Sequence, residues 1–530
     1  MFLSFLFTLS NSAEFKLKQT LWPDTTVDKA GYYGNSVDMS TDFAVVGSQY
    51  FNISGVTHHN SDRTGVVYAY KYNPTTDQYE LTKGNTPKYN RIEPDTKSTT
   101  FLPGTFSSSV HITNDPPRLL VSAPYTNVAK DYKNDWPIFD ENRQFAFNES
   151  QHIITQNGKE YYKELGAIYL YKFNVDTSLW EEEHVSVPSE LMWLGGYGRT
   201  MAASNSLNKF AGSFMNKLKP QAVMVPKTLG EVFVSYFDDN GNVQMYPPIR
   251  PFAELTNYSH QRFGYQLSFV DQDKLFMVIL DKDTGDYQGT YLYQLNAQNT
   301  WEQKHKVAFK DENSLYSNVG TSVGVRSDSS DNYLIAMNGT RKSDKHNVII
   351  LVNGNANAAE KEPIQVIDLE NDYADYFKFC GDYLAVNMLK TVNIYKMNSA
   401  TKQYELFQTI KDPEVISDFH KEQGIKYSDM EVTFPGNFAW EPEKCNQFIL
   451  GAESATGAGL NREEAPFGRA YIYKLDESTG SGQEGTTEKP KDVALIAGCT
   501  AAAVIVVIII IVVIVVVVKK KKGNDSSSSK

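Results

Sequence analysis

Gly65-Val-Val-Tyr-Ala-Tyr-Lys-Tyr-Asn73 is a short run of alternating aromatic and aliphatic residues, opened by glycine and closed by asparagine. It returns as Gly166-Ala-Ile-Tyr-Leu-Tyr-Lys-Phe-Asn174, Gly289-Thr-Tyr-Leu-Tyr-Gln-Leu-Asn296 and Gly468-Arg-Ala-Tyr-Ile-Tyr-Lys-Leu-Asp476. Weaker copies begin at Gly230, Asn347 and Thr391. Such stretches, rich in β-branched and aromatic residues, read as strands. One small sheet cannot bury both of its apolar faces, so repeated sheets must stack or close into a ring.

Each unit reads as four strands. The first opens near an aromatic-glycine pair, as at Tyr33-Gly34, Tyr197-Gly198 and Phe263-Gly264, with Val319-Gly320 a variant and Phe106 and Phe377 lacking the glycine. The second ends in phrases such as Phe43-Ala-Val-Val-Gly-Ser48 and Leu119-Leu-Val-Ser-Ala-Pro124. The third is the tyrosine-rich strand. A fourth starts at an aromatic-acid pair, Tyr79-Glu80, Trp180-Glu181, Trp301-Glu302 or Tyr404-Glu405, at hairpin distance from the asparagine that ends strand three. The last unit has no fourth strand after Leu475. The mature chain instead begins Phe15-Lys-Leu-Lys-Gln-Thr-Leu-Trp22, which mirrors Tyr404-Glu-Leu-Phe-Gln-Thr-Ile-Lys411. An N-terminal strand that completes the C-terminal sheet is the latch a closed ring needs. The expected fold is all-β: a seven-bladed β-propeller with its N-terminal strand closing the last blade.

Aromatic-glycine openings with Val-Gly-Ser, Ser-Ala-Pro or Leu-Gly-Ala closings resemble the FG-GAP repeats of integrin alpha-subunit heads, across residues 14–476. The resemblance implies an extracellular location and binding rather than chemistry. The family's calcium loop, Asp-x-Asp-x-Asp-Gly between strands one and two, is not matched here. The best acidic phrase lies between strands two and three and offers Asp281, Asp283 and Asp286 as calcium ligands, against a competing reading as solvated turn acids. No integrin-like leg domains follow.

Both ends bear on location. Residues 493–518 carry no charge and exceed the roughly 20 residues that cross a bilayer. Lys519 to Lys522 follow directly and hold the tail on the cytoplasmic side. With residues 1–13 read as a signal peptide and 477–492 as a polar linker, the expectation is a single-pass type I protein of the plasma membrane or an endomembrane. A net charge of −12 argues against nucleic acid as a partner. Cys380 and Cys445 are readable either as a pair or as free thiols. Asn52, Asn148, Asn257 and Asn338 each head a glycan-acceptor triplet.

Signals for catalysis are poor. Gly320-Thr-Ser322-Val-Gly324 matches a nucleophile elbow but falls where an inner strand opens, and His58-His59 lacks a nearby third ligand. Function is therefore sought in loops, which are long on one side: 47–64, 124–165 and 452–467 between strands two and three, and 84–104, 186–196 and 411–426 between units. The 124–165 insertion carries Tyr125, Tyr132, Trp136 and Phe139, the candidate contact residues for an extracellular protein or glycan ligand. The reading is adhesion or recognition without catalysis or a required cofactor. The alternatives are a tethered hydrolase with carboxylates in the central channel, and a glycosylated coat protein.

Overall fold

A computed structural model describes residues 13–23, 32–49, 51, 53, 64–133, 153–190, 196–204, 206–214, 230–250, 261–281, 287–307, 315–327, 332–355, 363–416, 418–422, 426, 431–455 and 468–477. Among them helix is confined to Asp418–Glu422 and a 3-10 turn at Lys130–Tyr132. The predicted span at 493–518, the basic tail and residues 1–12 lie outside the described residues.

The architecture is all-β and propeller-like. The first sheet runs Tyr33–Met39, Phe43–Ser48, Val66–Asn73 and Gln78–Leu81, each strand antiparallel to the one before it. The same meander recurs from Val110–Ile112 to Leu179–Ser186, from Met201–Ala203 to Val243–Met245, and from Gln261–Asp271 to Trp301–Val307. It recurs again from Val323–Ser327 to Gln365–Glu370 and from Tyr376–Cys380 to Tyr404–Lys411. The last such sheet takes Phe438–Trp440, Gln447–Ala455 and Arg469–Asp476 from the C-terminal end, and its outer strand, Glu14–Leu21, from the N-terminal end. The opening strands touch in succession, and Phe438–Trp440 returns to pack against Tyr33–Met39.

Repeated contacts explain the repeated letters. The glycine that opens strand three lies against the opening aromatic of the next sheet. A Cβ at Gly65 would sit 1.9 Å from the Phe106 carbonyl oxygen, and one at Gly468 would sit 1.7 Å from that of Tyr33. The junction between the last sheet and the first is thus built like the others. Polar side chains on the opening strands also reach the next sheet's backbone. Ser36 Oγ donates to Ser107 O (2.8 Å), Thr200 Oγ1 to Tyr265 O (3.0 Å), and the Asn437 amide to Asn35 O.

The asparagine that ends strand three folds the following turn onto its own carbonyl oxygen. Its amide donates to the glutamate of the aromatic-acid pair, as in Asn73–Glu80 (2.8 Å), Asn174–Glu181 (2.8 Å), Asn296–Glu302 (2.6 Å) and Asn398–Glu405 (2.8 Å). In the last sheet this hairpin is absent and the chemistry changes. Asp476 takes the asparagine's place, Lys16 takes the glutamate's, and they form an ion pair at 2.7 Å.

The N-terminal strand is seated as a true outer strand. Phe15 is 2% exposed, with its ring edge-on to Tyr383, Phe407, Trp440 and Phe448 at 5.2–6.0 Å. Gln408 of the preceding sheet clamps the Phe15 backbone, accepting from its N–H (2.7 Å) and donating to its carbonyl (2.9 Å). Gln19 does the same to Tyr79 of the first sheet, and Gln365 to Tyr404. The likeness between 15–22 and 404–411 therefore reflects a shared duty: an aromatic that is clamped, and a glutamine four residues on that clamps. Outer strands also bulge three residues past the aromatic, at Lys18, Glu183, Lys304 and Phe407. Such bulges blunt an exposed edge against further pairing.

Cys380 and Cys445 are joined in a disulfide that links the opening strand of the sixth sheet to the first turn of the last.

Candidate functional site

The 124–165 insertion builds a sheet of its own. Asn127–Ala129, Ile153–Gln156 and Lys159–Tyr162 combine with Phe101–Leu102 from the preceding connection. Asn157 and Gly158, both at positive φ, make the two-residue hairpin turn at its edge. That Asn-Gly between Ile153–Gln156 and Lys159–Tyr162 is a strong hairpin signal which the loop reading above leaves unused. One face, with Val128 and Tyr162, merges with the core between the second and third sheets through Leu120, Ile168 and Tyr197. The other face groups Leu102, Ala129 and Tyr161 with Ile154. Lys159 pairs with Asp131 (3.0 Å), and Lys133 donates to Ser189 O (3.2 Å), which fixes the 3-10 turn beneath Tyr132. The insertion is a buttressed platform rather than a loose loop.

Of the aromatic candidates, Tyr132 is 42% exposed and its ring stands 5.1 Å from that of Phe101, so one side is held and the other faces water. Tyr125 is half-buried, and its N–H donates to Gly104 O (3.3 Å). It acts as a brace between two connections. Trp136 and Phe139 lie outside the described residues.

Asn338 requires correction as a glycan acceptor. It sits within Asn332–Arg341 and not in a connection, and is 3% exposed. Its amide donates to Thr321 Oγ1 (2.7 Å) and Ala374 O (3.1 Å), while its own oxygen accepts from the Ser322 N–H (3.0 Å). A side chain spent on three partners inside a seam has no nitrogen to offer a sugar. Asn52, Asn148 and Asn257 lie outside the described residues. So do Asp283 and Asp286, while Asp281 ends the strand Lys274–Asp281. Among the described residues no three His, Cys, Asp or Glu side chains gather to hold a metal ion.

The opening strands line the middle of the ring. At one level they present Asp38, His111 and Lys378, with small residues such as Ala202, Ser268 and Gly324 elsewhere. Asp38 Oδ2 accepts from His111 Nδ1 (2.8 Å) and from the Ile112 N–H (2.9 Å), tying the first sheet to the second. Lys378 is exposed on its inner strand. Tyr376 beside it and the charge of Asp38 raise its pKa against the opposing effect of burial. At this level Asp38 is paired with a histidine, not with the second carboxylate that glycoside hydrolysis uses.

No protein-family model matches the chain, and no curated protein matches it. Solved structures similar to it include the Dos1 propeller, 9% identical over 87% of this chain and 95% of that one (TM-score 0.40). The β-propeller domain of the Trilobed protease from Pyrococcus furiosus is 8% identical over 86% and 97% (TM-score 0.40). The acylaminoacyl peptidase of Pyrococcus horikoshii is 9% identical over 86% of this chain and 53% of that chain (TM-score 0.38). These likenesses concern the fold alone.

Proposed function

We propose that the chain is a single-pass surface protein whose ectodomain is a seven-bladed propeller of the FG-GAP type, closed by its N-terminal strand. It recognises an extracellular protein or glycan and does no chemistry. The observation that carries this reading is the platform: an additional sheet raised on the loop-rich side, with Tyr132 held on one side and open on the other. A rigid, half-exposed aromatic supplies contact area at little entropic cost, which is what recognition surfaces favour. Trp136 and Phe139 belong to the same insertion and extend the proposed surface. The Cys380–Cys445 bond suits the oxidising compartment that a signal peptide and a type I topology imply. Occupied glycans at Asn52, Asn148 and Asn257 would frame the approach of a ligand.

The test displays the full chain on cells and probes it with matrix-protein and glycan arrays. Tyr132→Ala leaves the core untouched and is expected to weaken the strongest binding about 30-fold, as loss of a hot-spot aromatic does. Unchanged binding by a correctly displayed Tyr132→Ala chain would remove the platform from the reading.

A further inference from the structure

A polar cleft lies at the seam between the first and second sheets, unused by the core and by the recognition platform. Tyr169 and Tyr171 stand two residues apart on one face of Ala167–Asn174, both rings edge-on to Phe106 at 5.3 and 6.2 Å. Their hydroxyls, and that of Thr126, are buried and have no hydrogen-bond partner among the described residues. The three side chains are 2%, 0% and 0% exposed. The Thr126 hydroxyl faces that of Tyr169. Glu182 is directly opposite Tyr171 in the antiparallel register, so the two side chains leave the sheet on the same face. Asp95, on the connection from the first sheet to the second, acts on both phenols and on Glu182 from the other side. Asp95 keeps one oxygen on the Lys97 N–H (2.9 Å). Both acids reach solvent, whereas the hydroxyls form the enclosed floor.

An ordered water would satisfy the hydroxyls. It would leave two like charges facing each other, and Glu182 shows their cost: burial and then the Asp95 charge raise its carboxyl pKa. The donors are all oxygen, with net charge −2 and no nitrogen ligand. That set selects a hard cation over zinc or copper.

We propose that this cleft binds a hard cation of the calcium class, with Asp95 and Glu182 at its mouth and the hydroxyls of Thr126, Tyr169 and Tyr171 at its floor. The site is separate from the acidic phrase at Asp281 and does not rest on the recognition reading. Because only two ligands are charged, the expected affinity is modest, on the order of 0.1–1 mM, as in weak extracellular modules.

Terbium provides a direct probe, since it takes calcium sites and emits when a neighbouring tyrosine is excited. The full chain is titrated with terbium and then with calcium, alongside Asp95→Asn/Glu182→Gln and Tyr171→Phe. Expected are tyrosine-sensitised emission that calcium displaces, at least tenfold weaker binding in the double variant, and dimmer emission from Tyr171→Phe. A parallel thermal melt should show calcium raising the midpoint of the native chain but not that of the double variant. The proposal is overturned if emission and melting shift are unaltered in the double variant, which places any ion elsewhere. It is equally overturned if neither ion binds at millimolar concentration, which leaves buried water in the cleft.

Discussion

Replacing Phe15 by alanine tests whether the N-terminal strand carries the closure. The ring is buried among four aromatic neighbours, and no covalent hairpin joins Glu14–Leu21 to its partner strand Arg469–Asp476. Truncating a buried phenylalanine costs roughly 3–5 kcal/mol. Edge-on aromatic pairs add about 0.5–1.5 kcal/mol each beyond burial, but the four share one ring and overlap, so about 4 kcal/mol is a fair total. Against a typical domain stability of about 5–15 kcal/mol, that loss is borne first by the strand itself. At 1.36 kcal/mol per decade it corresponds to about a thousandfold faster opening of residues 14–21. Hydrogen exchange resolved to that segment, with urea unfolding in parallel, measures both quantities. Leu17→Ala is the control: the same strand, but 37% exposed, with an expected cost below about 1 kcal/mol. If Phe15→Ala exchanges no faster than Leu17→Ala, the strand is not held as argued here.

Gln408→Ala removes both hydrogen bonds that clamp the Phe15 backbone and should cost about 2 kcal/mol by urea unfolding, with Gln408→Glu close behind because a carboxylate cannot donate. Asp38→Ala strands the Ile112 N–H and should cost about 1–3 kcal/mol, read as a lower urea midpoint with an unchanged slope. Asp77 is held down to about 2 from an ordinary 3.8, chiefly by its hydrogen bonds with Lys18 and Tyr72. Its depressed folded pKa means that its stabilisation is present above about pH 4 and is lost as pH falls towards 2. Lys18 is itself lowered by burial, and Asp77 is 58% exposed, so the pair is worth less than about 1 kcal/mol. Asp77→Asn should therefore be slightly less stable than the native chain at pH 5 and equal to it near pH 2. Opening the Cys380–Cys445 bond, which spans 65 residues, should cost roughly 4 kcal/mol, measured as a lower melting midpoint after reduction or in Cys445→Ser.

Much of this fold is legible in the letters because sheets impose short-range rules. Period-two patterning placed the strands, and the asparagine that ends strand three placed the turns. The exchange of an outer strand between chain ends was readable because 15–22 and 404–411 perform one task in two sheets. The Asn157-Gly158 hairpin was equally readable but was submerged in a long insertion. The Asn338 triplet misled because an acceptor motif spans three residues, whereas burial is set by a strand and a connection far away in sequence.

Alone, then, the chain of letters determines a run of small antiparallel sheets and the piece that each end lends to the other, since those depend on local alternation and on copies that can be compared. Only the folded molecule decides that Asp38 meets His111, that the insertion stands as a platform, and that Asp95, Thr126 and Glu182 surround two buried phenols. Each of these joins residues from different sheets or connections, and no local pattern records which side chains a closing ring will bring face to face.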